Sequence, residues 1–183
     1  LLNNMQIYFT GFMASGKSTI GLGLAEKMNF DFIDLDNYIE SKENKSINEI
    51  FLKKGESFFR KLEFKYLQDI FEMNGNIIVA LGGGTINSIE LLKKIKNQGC
   101  LFHLKTSLKM IKNRLKKDRS SRPLLSNLSG EKLDLFINNK IKERNKFYLK
   151  SDLIIDSDNL SIFEILKLCE SFVINYNFVS HEK

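Results

Sequence analysis

The chain has 183 residues, 43% of them hydrophobic and 27% charged, a size and balance expected of one domain with a sizeable core. Its net charge of +6 points to anionic partners, whether nucleic acid, a membrane surface or small anions, while no apolar run approaches the ~20 residues of a membrane helix. No secretory leader is expected from Leu1-Leu2-Asn3-Asn4-Met5, Cys100 and Cys169 read as buried thiols of a reducing compartment, and His103 and His181 stand alone, so no zinc cluster is expected.

In chain order, residues 6–10 are apolar, β-branched or aromatic, the composition of a buried strand. They lead into Gly11-Phe12-Met13-Ala14-Ser15-Gly16-Lys17-Ser18, which fits the phosphate-loop pattern G-x-x-x-x-G-K-[ST] without a gap. Ile20, Leu24 and Met28 follow at helical spacing. Strand, glycine loop and helix are the context this motif needs. Backbone amides converge on an anion, the helix N-terminus adds partial positive charge, Lys17 reaches the outer phosphates and the Ser18 hydroxyl can ligate Mg²⁺.

A second apolar run, 30–35, closes with Asp34-Leu35-Asp36. Alternation along an extended segment sends both carboxylates to one side, one able to help hold Mg²⁺ through water and the other to bond a substrate hydroxyl. For one of them a helix N-cap is the alternative. A calcium loop fails, because Tyr38 and Ile39 stand where a ligand and a glycine are required. Ser46 and Glu49 make a capping box opening a helix through Phe51 and Leu52, and Leu62, Tyr66, Leu67 and Ile70 mark another over 60–73. A short strand over 77–81 ends in Gly82-Gly83-Gly84, backbone bare enough for its N–H groups to approach an oxygen-rich ligand.

A helix over 88–98, a strand over 100–104 and a helix over 108–117 come next. The polar stretch 118–130 carries the only proline, Pro123; a long helix to about 150, a strand over 153–156 and a helix over 162–176 complete the chain. Strands alternating with helices predict an α/β fold of three layers around a parallel sheet. Right-handed crossovers then place the phosphate loop, Asp34 and Asp36, the glycine run and the Asp156 loop at one set of strand ends, facing one cleft. Arg60, Arg119, Arg122 and Arg144 are candidate anion forks, and the basic segment around Arg119 and Arg122 has the composition of a lid that shuts out water. The tract 109–122 has no aromatic residue for base stacking, which counts against single-stranded nucleic acid.

These segments together resemble shikimate kinases, small members of the nucleoside-monophosphate-kinase-like phosphate-loop group. The resemblance runs through Gly11 to Thr19, Phe32-Ile33-Asp34-Leu35-Asp36, Gly55-Glu56-Ser57-Phe58-Phe59-Arg60-Lys61-Leu62-Glu63, Leu81-Gly82-Gly83-Gly84, Arg122-Pro123-Leu124-Leu125 and Glu143-Arg144-Asn145-Lys146-Phe147-Tyr148. It implies a phosphate-loop kinase of one domain, 1–183, with a mobile lid at about 114–128. The implied reaction phosphorylates the 3-hydroxyl of shikimate with ATP, a step towards chorismate and the aromatic amino acids.

The resemblance also implies roles. Ala14, Ser15, Gly16, Lys17, Ser18 and Thr19 would bind ATP, with Arg119, Arg122 and Asp156; Ser18 and Asp34 would serve Mg²⁺. Asp36, Arg60, Gly82, Gly83, Gly84 and Arg144 would hold shikimate, and Lys17, Asp36 and Arg122 would carry the chemistry. A cytoplasmic monomer is expected, with neither nucleic acid nor membrane as partner. Ala14 stands where the family usually has glycine, Lys146 replaces a usual proline, and the upstream lid cation is left open between Arg114, Arg119 and Lys116. The rival readings are a kinase for another hydroxy acid such as gluconate, a nucleic-acid module, and a guanine-nucleotide switch. The switch is poorly served by Asn139-Lys140, which lacks the following Asp.

Overall fold

A computed structural model of the chain describes residues 4–115, 125 and 128–180. Among these, β1 (Gln6–Thr10), β2 (Asp31–Asp34), β3 (Ile77–Ala80), β4 (Gly99–Lys105) and β5 (Leu153–Asp156) form one parallel sheet in the order β2-β3-β1-β4-β5. The helices are α1 (Lys17–Met28), α2 (Leu35–Glu43), α3 (Ile47–Phe71), α4 (Ile89–Gln98), α5 (Leu108–Leu115), α6 (Gly130–Tyr148) and α7 (Ile162–Ser180). The expected α/β architecture is present. The central strands read as continuous apolar runs because both faces are covered. Tyr8, Val79 and Leu101 face a core with α2, α3 and α4, while Ile7, Phe9, Ile78 and Phe102 face α1 and α7. Parallel register turns every strand's carboxyl end the same way, so the loops after β1, β2, β3 and β5 open on one rim. Among the described residues no helix is long and apolar enough to cross a membrane.

Several bounds differ from the sequence reading for local reasons. β2 stops at Asp34 instead of running to Leu35, because the Asp34 Oδ1 accepts the amides of Asp36 (3.0 Å) and Asn37 (3.3 Å) and caps α2. Asp36 is therefore in the first helical turn, and strand alternation is not what aims it. The capping box of Ser46 and Glu49 is formed as expected. The two helices expected after it meet at Gly55, whose φ of 76° and ψ of 174° break α3. That region of backbone space belongs essentially to glycine. A Cβ there meets nothing within 4 Å, so Gly55→Ala should lower stability through backbone strain alone, by about 1–3 kcal/mol in urea unfolding. The break lets the second half of α3, with Arg60, take its own direction across the rim. α7 continues four residues beyond the expected Tyr176. The lid expected over 114–128 lies largely outside the described residues, as do Lys116, Arg119, Arg122 and Pro123.

Candidate active site

The loop between β1 and α1 wraps one end of a cavity of about 520 Å³. Ala14, Ser15, Gly16, Lys17, Ser18 and Thr19 all line it, and Gly16 (φ 102°) lets the chain enter α1 with its amides turned inward. Ala14 takes φ 59°, a left-handed conformation that glycine adopts freely and alanine at about 1–2 kcal/mol. This is the physical reason a glycine is usual at that place. Lys17 is 8% exposed, and its Nζ donates to the carbonyls of Gly11 and Phe12, each at 3.1 Å. Arg114 of α5 donates to the carbonyls of Ala14 (3.0 Å) and Ser15 (2.8 Å) and lines the same cavity. Of the cations left open in the sequence, Arg114 is the one the described structure brings to the loop.

Ser18 and Asp34 meet at the cavity mouth, the hydroxyl donating to Asp34 Oδ2 at 2.5 Å. The same carboxylate thus caps α2 with one oxygen and faces the phosphate loop with the other. An exposed hydroxyl beside one carboxylate suits Mg²⁺, which keeps several waters and takes its remaining ligands from phosphates. Among the described residues there is no cluster of three or more His, Cys, Asp or Glu for a metal held by protein alone.

The ATP contact expected at Asp156 belongs to the loop that follows β5. Asp156 is exposed, its Oδ2 3.6 Å from Lys105 Nζ, and does not line the cavity. Its neighbours Ser157 and Leu160 do. At the end of β5 successive side chains alternate sides. Ser157 is the inward one, its Oγ donating to the Lys105 carbonyl at 3.0 Å and lying 2.7 Å from Thr106 Oγ1.

A second cavity, about 390 Å³, lies on the other side of the glycine run and is lined by Arg60, Gly84 and Arg144, with Glu56, Lys140 and Lys146 at its rim. Asp36, Gly82 and Gly83 line the first cavity and Gly84 the second, so the expected acid-binding residues divide across the two. Each glycine is closely approached by its neighbours. A Cβ on Gly82 would come within 2.5 Å of Glu63 and 3.1 Å of Asp36 Oδ1; one on Gly83 would stand 3.0 Å from the Met13 amide nitrogen. One on Gly84 would meet Nη2 of both Arg60 and Arg144, at 2.7 and 2.8 Å. Two guanidinium groups thus converge on a single point above side-chain-free backbone.

Burial by itself would lower the Arg60 pKa, but the charge and hydrogen bonds of Glu63, with those of Glu56, hold it above its ordinary value. Glu63, three residues after Arg60, has no role that the sequence pattern assigns. It is buried, takes Arg60 Nη1 on one oxygen and the Thr85 hydroxyl on the other, each at 2.5 Å, and burial pushes its carboxyl up against the pull of Arg60, Thr85 and Arg144. Its signal was the i, i+3 spacing from Arg60 on one helix face. Arg144 is 6% exposed, lies over the Phe12 ring, and its Nη1 has no hydrogen-bond partner. A buried, unsatisfied guanidinium nitrogen beside a second guanidinium suits an anion, since leaving such a donor unmet is costly.

The shikimate kinase family profile matches residues 13–173 of this sequence. The chain belongs to the shikimate kinase family. A curated shikimate kinase of Persephonella marina is 41% identical over 160 residues, covering 87% of this chain and 93% of its own. A crystal structure of shikimate kinase from Bacteroides thetaiotaomicron superposes with a TM-score of 0.84 at 29% identity, covering 92% of this chain and 98% of that one. The shikimate kinase from Acinetobacter baumannii in complex with shikimate also gives 0.84, at 26% identity and 94% coverage of both chains. Family membership makes this protein a kinase that uses ATP as co-substrate.

Proposed function

We propose that the protein transfers the terminal phosphoryl group of ATP to the 3-hydroxyl of shikimate, giving ADP and shikimate 3-phosphate. One observation carries the choice of acceptor: Arg60 and Arg144 converge above Gly84, the residue next to Gly83, which touches the phosphate loop. A carboxylate held there has its hydroxyl-bearing ring directed across Gly83 towards the loop. Arg60 and Arg144 bind the acid, the second cavity offering two planar forks for one carboxylate. Glu56, at the rim and half exposed, gives way to the incoming carboxylate, whereas buried Glu63 keeps Arg60 in place. Asp36, beside Gly82, orients the attacking hydroxyl and takes its proton.

In the nucleotide cavity, Ala14 to Thr19 cradle the phosphates and Lys17 moves from the loop carbonyls onto the outer phosphates. Ser157 and Leu160 border the base, and Arg114 flanks the loop. Ser18 and Asp34 would hold Mg²⁺, which when bound offsets phosphate charge and aligns the transferred group. Arg122, with Arg119, is assigned to the lid on sequence grounds, neutralising the group in flight. The chemistry is in-line transfer, in which positioning and charge neutralisation supply the rate. One domain with a lid, acting as a monomer in the cytoplasm, completes the reading. Two buried, unpaired cysteines suit a reducing compartment.

ADP release measured with shikimate, gluconate, nucleosides or no acceptor tests the assignment. Shikimate should stimulate it far above the others, and equal stimulation by gluconate would transfer the assignment to a broader hydroxy-acid kinase. The glycine run provides a second check. Gly84→Ala pushes against both arginines and should raise the shikimate KM at least about tenfold with little change for ATP. Gly83→Ala presses on the Met13 amide and should weaken ATP as well. Indistinguishable effects of the two substitutions would contradict the division between the cavities.

A further inference from the structure

Tyr148, the last residue of α6, stands one helical turn after Arg144 and is 3% exposed. Its hydroxyl donates to the Gly83 carbonyl at 2.6 Å, and the Arg144 guanidinium bears on that same hydroxyl. His103 of β4 lies flat against the Tyr148 ring, with centroids 4.7 Å apart and planes 21° apart. The His103 Nδ1 sits 3.4 Å from the carbonyl of Thr10, the residue before the phosphate loop. The end of β1, the middle of β4, the end of α6 and the turn after β3 are therefore tied in sequence by Thr10, His103, Tyr148 and Gly83. Gly83 lies in a run of three glycines, backbone that loses more freedom than any other when ordered. It has no side chain with which to fix itself, so its position depends on bonds from outside.

We propose that Tyr148 is a positioning residue for phosphoryl transfer, holding Gly83 and Arg144 in register with the phosphate loop while His103 braces its ring. This rests on the reading of the site as that of a shikimate kinase. Tyr148 does not touch substrate; it acts through the backbone and the guanidinium that do. The electrostatics agree with the geometry. Burial, opposed by Arg144 and Arg60, pushes the Tyr148 hydroxyl up to about 12, so it stays a donor at neutral pH. Burial first, then the charges of Lys17 and Lys105, hold His103 down at about 4 despite its contact with Thr10, so its ring stays uncharged.

Tyr148→Phe removes the hydroxyl and leaves the ring. In steady-state assays with each substrate varied, the shikimate KM should rise by about tenfold and the ATP KM stay within about twofold. The melting temperature should fall by no more than a few degrees, the effect of one buried carbonyl losing its donor. His103→Ala, which removes the brace, should raise the shikimate KM severalfold, and His103→Phe, which restores a flat ring, should bring it back within about twofold of wild type. Should Tyr148→Phe not fold, the His103 pair decides. An unchanged shikimate KM in Tyr148→Phe, or an equal rise in both KM values with a lowered melting temperature, would overturn the proposal and leave Tyr148 a core residue. A wild-type enzyme that shikimate fails to stimulate would overturn the substrate reading and the proposal with it. A stimulated wild type beside an indifferent Tyr148→Phe would sink the proposal alone.

Discussion

Lys17→Met is expected to lower turnover by about a hundredfold or more while leaving the fold intact. Methionine keeps most of the aliphatic stem in its buried place between the loop and α1 but removes the charge. In the present geometry the ammonium satisfies the carbonyls of Gly11 and Phe12, a modest contribution to the loop. During transfer the same group would follow charge developing on the phosphoryl oxygens, in a closed site where each fixed donor is worth far more than in water. The loss should therefore appear in kcat more than in melting temperature. A second reading is available at His103. The Lys17 charge is one of the causes holding the His103 pKa low, after burial itself, so removing it should let that pKa move up from about 4. Burial persists, so the value should stay below that of free histidine. An NMR titration that finds His103 unmoved, with turnover unchanged, would remove Lys17 from the mechanism.

Arg60→Lys should raise the shikimate KM by roughly ten- to hundredfold, with a far smaller effect on ATP. Arg60 serves three demands with one planar group: Glu63 on Nη1, Glu56 along the Nε edge, and the point above Gly84. An ammonium is a compact charge. If it neutralises buried Glu63, it cannot also reach a ligand beside Arg144; if it reaches the ligand, Glu63 is left buried and uncompensated, which is strongly destabilising. Either way the acid loses one fork. Equal rises in both KM values would show that Arg60 supports the whole rim and does not clamp the acid.

What could be read beforehand was local in the chain. The phosphate loop is a continuous run whose glycines, lysine and serine are set by spacing alone, and all of Ala14 to Thr19 line the first cavity. The capping box at Ser46 and Glu49 and the buried strand runs are equally short-range signals, and they appear where expected. Two places offered competing local patterns. Asp34-Leu35-Asp36 reads as strand alternation or as a helix cap; the backbone amides of Asp36 and Asn37 decide for the cap, and still bring both carboxylates to the cavity. Asp156 and Ser157 differ by one position at a strand end, and one position is the difference between the two sides.

By itself the sequence determined the order of strands and helices, the anion-binding loop, and the bare glycine turn, because each depends on residues adjacent in the chain. It could not show that Gly84 lies under both Arg60 and Arg144, that Glu63 is the buried carboxylate steadying one of them, that Arg114 leans on the loop, or that Tyr148 reaches Gly83. Glu63 is only three residues from Arg60, but its burial against Thr85 and the other pairs join residues tens of positions apart, which meet only when β3 inserts beside β1 in the sheet and α3, α5 and α6 pack across the same rim. Tertiary packing decided them, because the energy of a contact depends on distance in space and spacing along the chain carries no record of it beyond a helical turn or a strand's alternation.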